Sequence, residues 1–195
     1  MKDKSFVSAY IVKKITKKQQ KGKKMSEVKT LEDLEALIER VHVAQNRYAT
    51  FSEEKVDAIF KAAATAADKM RIDLAEMAVA ETGMGVLEDK IIKNTLASKA
   101  VYEAIKDMKT VGIVAEYPEQ KMFEVAVPVG VVCGIVPCTN PTSTVCYKAM
   151  IALKAGNPII FSPHPKAIIC TRKAAEIVAE AAEKAGAPKG SVACL

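Results

Sequence analysis

Histidine is scarce in this chain and paired cysteines are missing. It has two histidines, His42 and His164, and five cysteines, Cys133, Cys138, Cys146, Cys170 and Cys194, none of them in a CxxC pair. No metal-ligand cluster can be assembled from that spacing, so no metal site is expected. An odd cysteine count with several thiols inside apolar runs argues for packing in a reducing compartment, not for a disulfide framework, and the expected location is cytoplasmic. Long apolar stretches are lacking too. Nothing approaches the roughly 18 consecutive apolar residues of a membrane span, and the run Val125–Val136 is broken by Pro128, Gly130 and Gly134. No GxGxxG fingerprint follows a strand. The glycines Gly83 and Gly85 have no strand before them and read as a helix-to-helix turn.

What is present fits a globular chain: half of the 195 residues are hydrophobic and 27% are charged. The net charge of +6 is unevenly placed. Residues Met1–Lys24 hold nine lysines and one aspartate, a charge of +8, which leaves 20 basic and 22 acidic residues on the rest. The basicity belongs to an extension and not to a surface built for nucleic acid. Two readings of that extension stand: a disordered segment with Met25 as the natural start, or a short amphipathic helix over Phe6–Ile15 that docks on a partner or an anionic surface.

From Thr30 the pattern is helical. Thr30 is a natural N-cap for Leu31–Tyr48, with Leu34, Leu37, Ile38, Val41 and Ala44 on one stripe. Ser52, Glu53 and Glu54 open a second helix to about Met70, with Val56, Ile59, Phe60, Ala63 and Ala67 facing inward. Arg71–Glu81 predicts a third, ended by Gly83. Leu87–Met108 predicts a fourth that buries Leu87, Ile91, Leu96 and Ile105.

The period then shortens. Phe123, Val125 and Val127 alternate with Glu124 and Ala126, as in a strand with one polar face. Val129–Val136 is continuously apolar and rich in β-branched residues, which suits a strand buried on both faces of a parallel sheet. Asn140 and Pro141 open a helix that stops at Gly156-Asn157. Pro158–Phe161 reads as a strand, Ser162–Pro165 as a rigid turn, Lys166–Ala185 as a helix, and Gly190–Leu195 as the start of a third strand. The order β-α-β-α-β makes half of a doubly wound α/β sheet preceded by a helical region. Ligands of such sheets bind beyond the carboxyl ends of the strands, so Pro137–Asn140 and Ser162–Pro165 mark the expected site.

The run from Pro128 to Ala167, PVGVVCGIVPCTNPTSTVCYKAMIALKAGNPIIFSPHPKA, resembles the first strand–helix–strand of the aldehyde dehydrogenase family. Its TNPTST and SPHP forms are similar to the CoA-acylating branch, and ETGMGVLEDKIIKN (Glu81–Asn94) is similar to a segment of the bifunctional aldehyde-alcohol dehydrogenases. The resemblance spans about Thr30–Leu195. It implies an enzyme that converts acetaldehyde or another short aldehyde, CoA and NAD⁺ to acyl-CoA and NADH through a cysteine thioester. It assigns 25–110 to the helical region of that fold and 111–195 to an incomplete first half of the NAD-binding domain, with 1–24 as the basic extension. It makes Asn140 the oxyanion donor and aligns Ile135, Val136, Pro137, Cys138, Thr139 and Asn140 with the turn along the cofactor. Ser162, Pro163, His164 and Pro165 match a second turn near the adenosine. Many relatives carry Lys at the position of Ser162, so the choice between NAD⁺ and NADP⁺ stays open. His164 is either a phosphate or ribose contact or a structural residue locked between two prolines.

The same resemblance places the nucleophilic cysteine and its glutamate partner far downstream, in a second domain. The chain is therefore expected to be a segment of a longer enzyme, inactive alone, binding NAD⁺ weakly at best. Cys138, at the predicted strand end, corresponds to a position that is usually non-nucleophilic in the family, and the other four cysteines read as packing. The expected partners are the aldehyde and acyl-CoA of the whole enzyme and a homo-oligomer or an intact homologue, with no nucleic acid and no membrane span. Two further readings remain beside it: a non-catalytic nucleotide-binding or oligomer-assembly protein derived from the family, and a nucleic-acid or membrane-surface binder acting through the Lys-rich extension.

Overall fold

A computed structural model describes Met25 and residues 28–195; both readings of the Lys-rich extension fall on residues 1–24, outside the described residues. Helix α1, Leu31–Tyr48, starts where the cap was expected. The Thr30 hydroxyl accepts from Asp33 N at 3.1 Å while the Asp33 carboxylate accepts from Thr30 N at 3.0 Å, a reciprocal capping box. Its buried face is Leu37, Val41, Ala44, Gln45 and Tyr48, so the stripe is rotated away from Ile38, which is exposed. Helix α2, Glu53–Lys69, buries the five residues predicted. Helix α3, Arg71–Thr82, ends on Gly83 at φ 66°, a left-handed cap that glycine adopts without strain.

The predicted Leu87–Met108 helix is interrupted. It comprises α4 (Leu87–Thr95), a π-helical turn (Leu96–Ala100) and α5 (Val101–Ile105). Its buried face also differs from the prediction: Lys90, Asn94, Ala97 and Ser98 are buried, Leu87, Ile91 and Ile105 are only partly so, and Leu96 is exposed. The inward stripe is polar because it meets hydrogen-bonding groups of other elements, described below.

Strands β1 (Gly112–Tyr117) and β2 (Met122–Ala126) form an antiparallel hairpin. The β1 strand was not expected. In β2 the alternation has no buried side, since Phe123 and Val125 are exposed along with Glu124. The hairpin does not pack a face on the core, so its apolar residues carry no inside–outside code.

The expected β-α-β-α-β order follows: β3 (Val132–Val136), α6 (Pro141–Lys154), β4 (Ile159–Pro163), α7 (Ile168–Lys184) and β5 (Val192–Cys194). The strands are parallel, in the order β3-β4-β5. On one face Val136, Ile159, Phe161, Val192 and Cys194 pack with α2, α6 and α7 in the main core. On the other, Ile160 and Ala193 pack against Leu37 and Val41 of α1. Apolar contact on this scale, at about 25 cal/mol per Å² removed from water, is what holds the layers together.

The prediction of one long strand buried on both faces does not hold. Val129–Val131 is loop, fixed by a hydrogen bond from Gly130 N to Asn157 Oδ1 at 3.0 Å, and Val129 is exposed. Within β3, Cys133 and Ile135 face outward, because α1 covers that side of the sheet over β4 and β5 and not over the end of β3. Gly134 allows the close approach of the neighbouring strand: a Cβ there would lie 2.7 Å from Phe161 Cδ1. Among the described residues no helix is long and apolar enough to cross a membrane, and no group of His, Cys, Asp and Glu is placed to hold a metal ion.

Candidate functional site at the strand ends

Parallel register places the two predicted turns side by side. Ile135 pairs with Ser162 and Val136 with Pro163 at the carboxyl ends of β3 and β4, and His164 N donates to Val136 O at 3.1 Å. The sequence-predicted residues therefore gather along one edge, Ile135–Asn140 in one strand end and turn and Ser162–Pro165 in the next. The second segment is not wholly a turn, as expected from sequence: Ser162 and Pro163 belong to β4, and Pro165 opens a 3₁₀ turn, Pro165–Ala167. His164 accepts from Lys166 N through Nδ1 at 3.1 Å, a local cap that leaves Nε2 as its other ring nitrogen.

Asn140 stands at the N-cap position of α6 without acting as a side-chain cap. Its backbone carbonyl accepts from Thr144 N at 3.1 Å, but the side chain makes no capping bond, and Oδ1 is buried with no hydrogen-bond partner among the described residues. Leaving a buried amide oxygen unpaired costs about 1–3 kcal/mol, so this side chain is held in place against its own preference. Four residues, Pro137–Asn140, join the end of β3 to this proline-initiated helix.

Three groups absent from the sequence reading surround this turn. Lys90, on α4 and 5% exposed, sends Nζ to the carbonyl of Thr139 at 2.8 Å. Burial, with the charge of Lys93 adding to it, holds the Lys90 ammonium below the ordinary lysine range. Asn94, one turn further along α4, accepts from Thr142 Oγ1 at 3.0 Å and donates Nδ2 to Arg71 O at 2.8 Å. Glu81, near the end of α3, accepts from Ile169 N at 2.8 Å and Cys170 N at 2.7 Å, and so caps α7. The signal that would have found the first two is the spacing: Lys90, Asn94 and Ser98 recur every four residues, a polar stripe on a helix whose apolar residues mislead. On the opposite side Lys148 Nζ donates to Ile135 O at 2.9 Å.

The cysteines divide by burial. Cys146 and Cys194 are buried and pushed up to about 12, and burial also pushes the Cys170 thiol far above its usual value. All three are inert packing residues, as expected. Cys133 is exposed on β3, contrary to the packing role predicted for it. Cys138 is half-buried and packs against the apolar cluster of Met77, Ala78, Ala167 and Cys170. That position suits a contact residue and not a nucleophile activated by a base.

A groove of about 580 Å³ lies elsewhere, between α1, α7 and β5, lined among others by Met25, Arg40, Glu176 and Val192. It contains none of the predicted site residues. The strand-end site rests on topology and on the convergence of polar groups, which decide more here than concavity alone.

Comparison with known proteins agrees with this fold. Residues 11–195 match the aldehyde dehydrogenase family. The chain is 56% identical over 162 residues to the bifunctional aldehyde-alcohol dehydrogenase of Escherichia coli, an alignment covering 83% of this chain and 18% of that protein. It superposes with TM-score 0.82 and 49% identity on an acetylating aldehyde dehydrogenase from Geobacillus thermoglucosidasius, covering 84% of this chain and 36% of the other. It is also similar, with TM-score 0.67 and 27% identity over 89% of this chain and 37% of the other, to an engineered glycolyl-CoA reductase with bound NADP⁺. The chain thus spans less than a fifth of the bifunctional relative and little more than a third of the solved structures. Fold, strand-end geometry and these likenesses lead to one statement: the chain belongs to the aldehyde dehydrogenase family and matches the N-terminal portion of its CoA-acylating, aldehyde-alcohol dehydrogenase-like members.

Proposed function

We propose that this chain supplies the cofactor-side wall of an NAD-dependent, CoA-acylating aldehyde dehydrogenase acting in the cytoplasm, which converts acetaldehyde, CoA and NAD⁺ to acetyl-CoA and NADH. The observation that carries the proposal is the meeting of two parallel strand ends near Asn140, whose side-chain oxygen is buried and has no partner among the described residues. An amide held this way keeps its Nδ2 donors for an oxygen that gains negative charge during attack on a carbonyl, and a donor of that kind contributes about 3 kcal/mol to the transition state. Ile135–Asn140 and Ser162–Pro165 offer the backbone and small side chains along which a dinucleotide can lie.

The fit is selective. The first turn of α7 does not suit a phosphate, because its Ile169 and Cys170 N–H groups already serve the Glu81 carboxylate. A dinucleotide therefore fits against the strand ends and not on that helix terminus. When bound, the nicotinamide would accept the hydride of the aldehyde. The residues of this chain orient it and donate a hydrogen bond from Asn140.

Titration of the ¹⁵N-labelled chain with NAD⁺ tests the reading. Amide signals of residues 135–140 and 162–165 should move together, with an affinity weaker than that of a whole dehydrogenase. Movement confined to the groove between α1, α7 and β5 would refute it. A second reading, assembly without chemistry alongside an intact homologue or a second copy, is favoured by the exposed Ile113, Phe123 and Val125 of the hairpin. Sedimentation that detects only monomer, with and without an intact relative, would remove it.

A further inference from the structure

Helix α4 is the part of the fold that the functional reading leaves unexplained, because it turns two polar side chains inward. We infer that Lys90 and Asn94 are positioning residues that clamp the oxyanion turn from both sides, through Thr139 and Thr142, and so set the orientation of Asn140. The meaning of the clamp rests on the role proposed for Asn140; its geometry does not.

The contacts bracket one residue. Lys90 holds the carbonyl just before Asn140, by 2.8 Å from Nζ to Thr139 O. Asn94 holds the hydroxyl two residues after it, by 3.0 Å from Thr142 Oγ1 to Asn94 Oδ1. Asn94 and Thr142 are each 2% exposed, so this second contact is dry. Asn94 is itself anchored, since Nδ2 reaches Arg71 O on α3 at 2.8 Å and its backbone carbonyl receives the Ser98 hydroxyl at 2.7 Å. The clamp is therefore tied to a packed helix pair and not to a loose surface helix.

Two alternatives fail on the same contacts. Lys90 is not half of a buried salt bridge, for it pairs with no carboxylate among the described residues, and its hydrogen-bond partner is a backbone carbonyl. Nor does Asn140 fix itself: its side chain forms no cap, and Oδ1 has no partner among the described residues. Its direction must come from the backbone on either side, and those are the positions α4 holds. Burying an ammonium for the sake of one carbonyl is unfavourable for folding. It is understandable where the gain is a fixed turn.

The test is the side-chain amide pair of Asn140 in the ¹⁵N-labelled, ligand-free chain, assigned by its disappearance in Asn140→Asp. In Lys90→Met the pair should shift and broaden while backbone amides of α2 stay in place. The melting temperature should hold or rise, because a buried cation is replaced by an apolar chain of similar length. Lys90→Arg, which keeps a donor, should return the pair toward its wild-type position. Thr142→Val, near-isosteric and lacking only the hydroxyl, should shift the pair without Lys90 being touched, and it decides the matter if Lys90→Met fails to fold. An Asn140 pair that superimposes on wild type in both Lys90→Met and Thr142→Val would overturn the clamp. NAD⁺ that moves no signal in the wild-type chain would defeat the functional reading instead, and would leave the ligand-free comparison to stand or fall by itself.

Discussion

Removing Glu53 should cost far more stability than removing the lysine it pairs with. Glu53 is the first residue of α2, and its carboxylate gathers three groups from two distant segments. It accepts from Lys154 Nζ at 2.8 Å, from Thr110 N at 3.1 Å and from Val111 N at 2.8 Å. Lys154, the last residue of α6, has a side chain only 1% exposed and also pairs with Asp57. In Glu53→Ala the buried ammonium keeps only the more exposed aspartate, and two backbone N–H groups lose a charged acceptor. Breaking a buried pair from one side costs about 3–5 kcal/mol, and hydrogen bonds to a charged group about 1.5–3 kcal/mol each. Glu53 is 22% exposed, which lets water replace part of what is lost. We therefore expect about 4 kcal/mol in all, below the sum of those ranges. In Lys154→Met the carboxylate keeps Thr110 and Val111, an apolar chain replaces the ammonium that lies over the Phe60 ring, and the loss should be about 1 kcal/mol or less.

Urea unfolding followed by far-UV circular dichroism measures both. At about 2–4 °C per kcal/mol for a domain of this size, Glu53→Ala should melt about 8–16 °C lower than wild type. The pH dependence adds a second check. Burial pushes the Glu53 carboxyl up, but hydrogen bonds from Lys154, Thr110 and Val111 outweigh it and hold the group below 4.5. A depressed carboxyl contributes stability above its unfolded value, and that stability is lost as pH falls through the folded value. Burial likewise pushes Lys154 down, but Asp57 and Glu53 outweigh it and hold the ammonium above 10.5. Its share is present below the unfolded value and lost as pH rises through the folded one. The gap between wild type and Glu53→Ala should accordingly be flat from the carboxylate range to the lysine range and narrow at both ends. Equal losses in the two variants, or a loss under about 1 kcal/mol in Glu53→Ala, would refute the reasoning.

Gly134→Ala should destabilise by about 1–3 kcal/mol through overpacking, since the added methyl meets Phe161 at 2.7 Å. Phe161→Leu in the same chain should recover part of that loss in a urea titration. Glu81→Ala should cost about 1–2 kcal/mol as a lost helix cap, read as a lower melting temperature, and Glu81→Gln should cost less because it keeps one acceptor. Titration of the native chain with dithionitrobenzoate should show Cys133 reacting first, while the buried Cys146, Cys170 and Cys194 react only on unfolding. Early modification of any of these three would contradict the packing described.

The legible parts of the sequence were those whose pattern is set by their own period. Leu31–Tyr48 carries its cap within one segment, and Pro141–Lys154 lies between a proline and a glycine, so these two helices are legible nearly to the residue, whereas the strands beside Pro141–Lys154 are legible only to within two or three residues. Pattern alone marks Asn140 only as a helix start, and the oxyanion role comes from the family resemblance. Half of the hairpin is illegible: its exposed apolar residues have no buried partner whose spacing they must match. Val129–Val131 was taken into a strand because β-branched residues look alike in strand and loop, and only the contact between Gly130 and Asn157 shows which it is.

The polar face of α4 was illegible for a different reason. Lys90 and Asn94 are inward because Thr139 and Thr142 are there to receive them, and nothing within α4 records that. The two stretches that carry the family resemblance, Glu81–Asn94 and Pro128–Ala167, are neighbours in space. Glu81 caps the helix that leaves the second stretch, Lys90 meets its first turn, and Asn94 meets the helix that follows. Read separately, one stretch is a helix with misplaced polar residues and the other a strand end with an unsupported asparagine. Together they account for each other, since the polar residues of the first supply the support that the second lacks. A substitution in Glu81–Asn94 should therefore be judged by what it does at Asn140 and at the start of α7, and not by what it does to the helix that carries it.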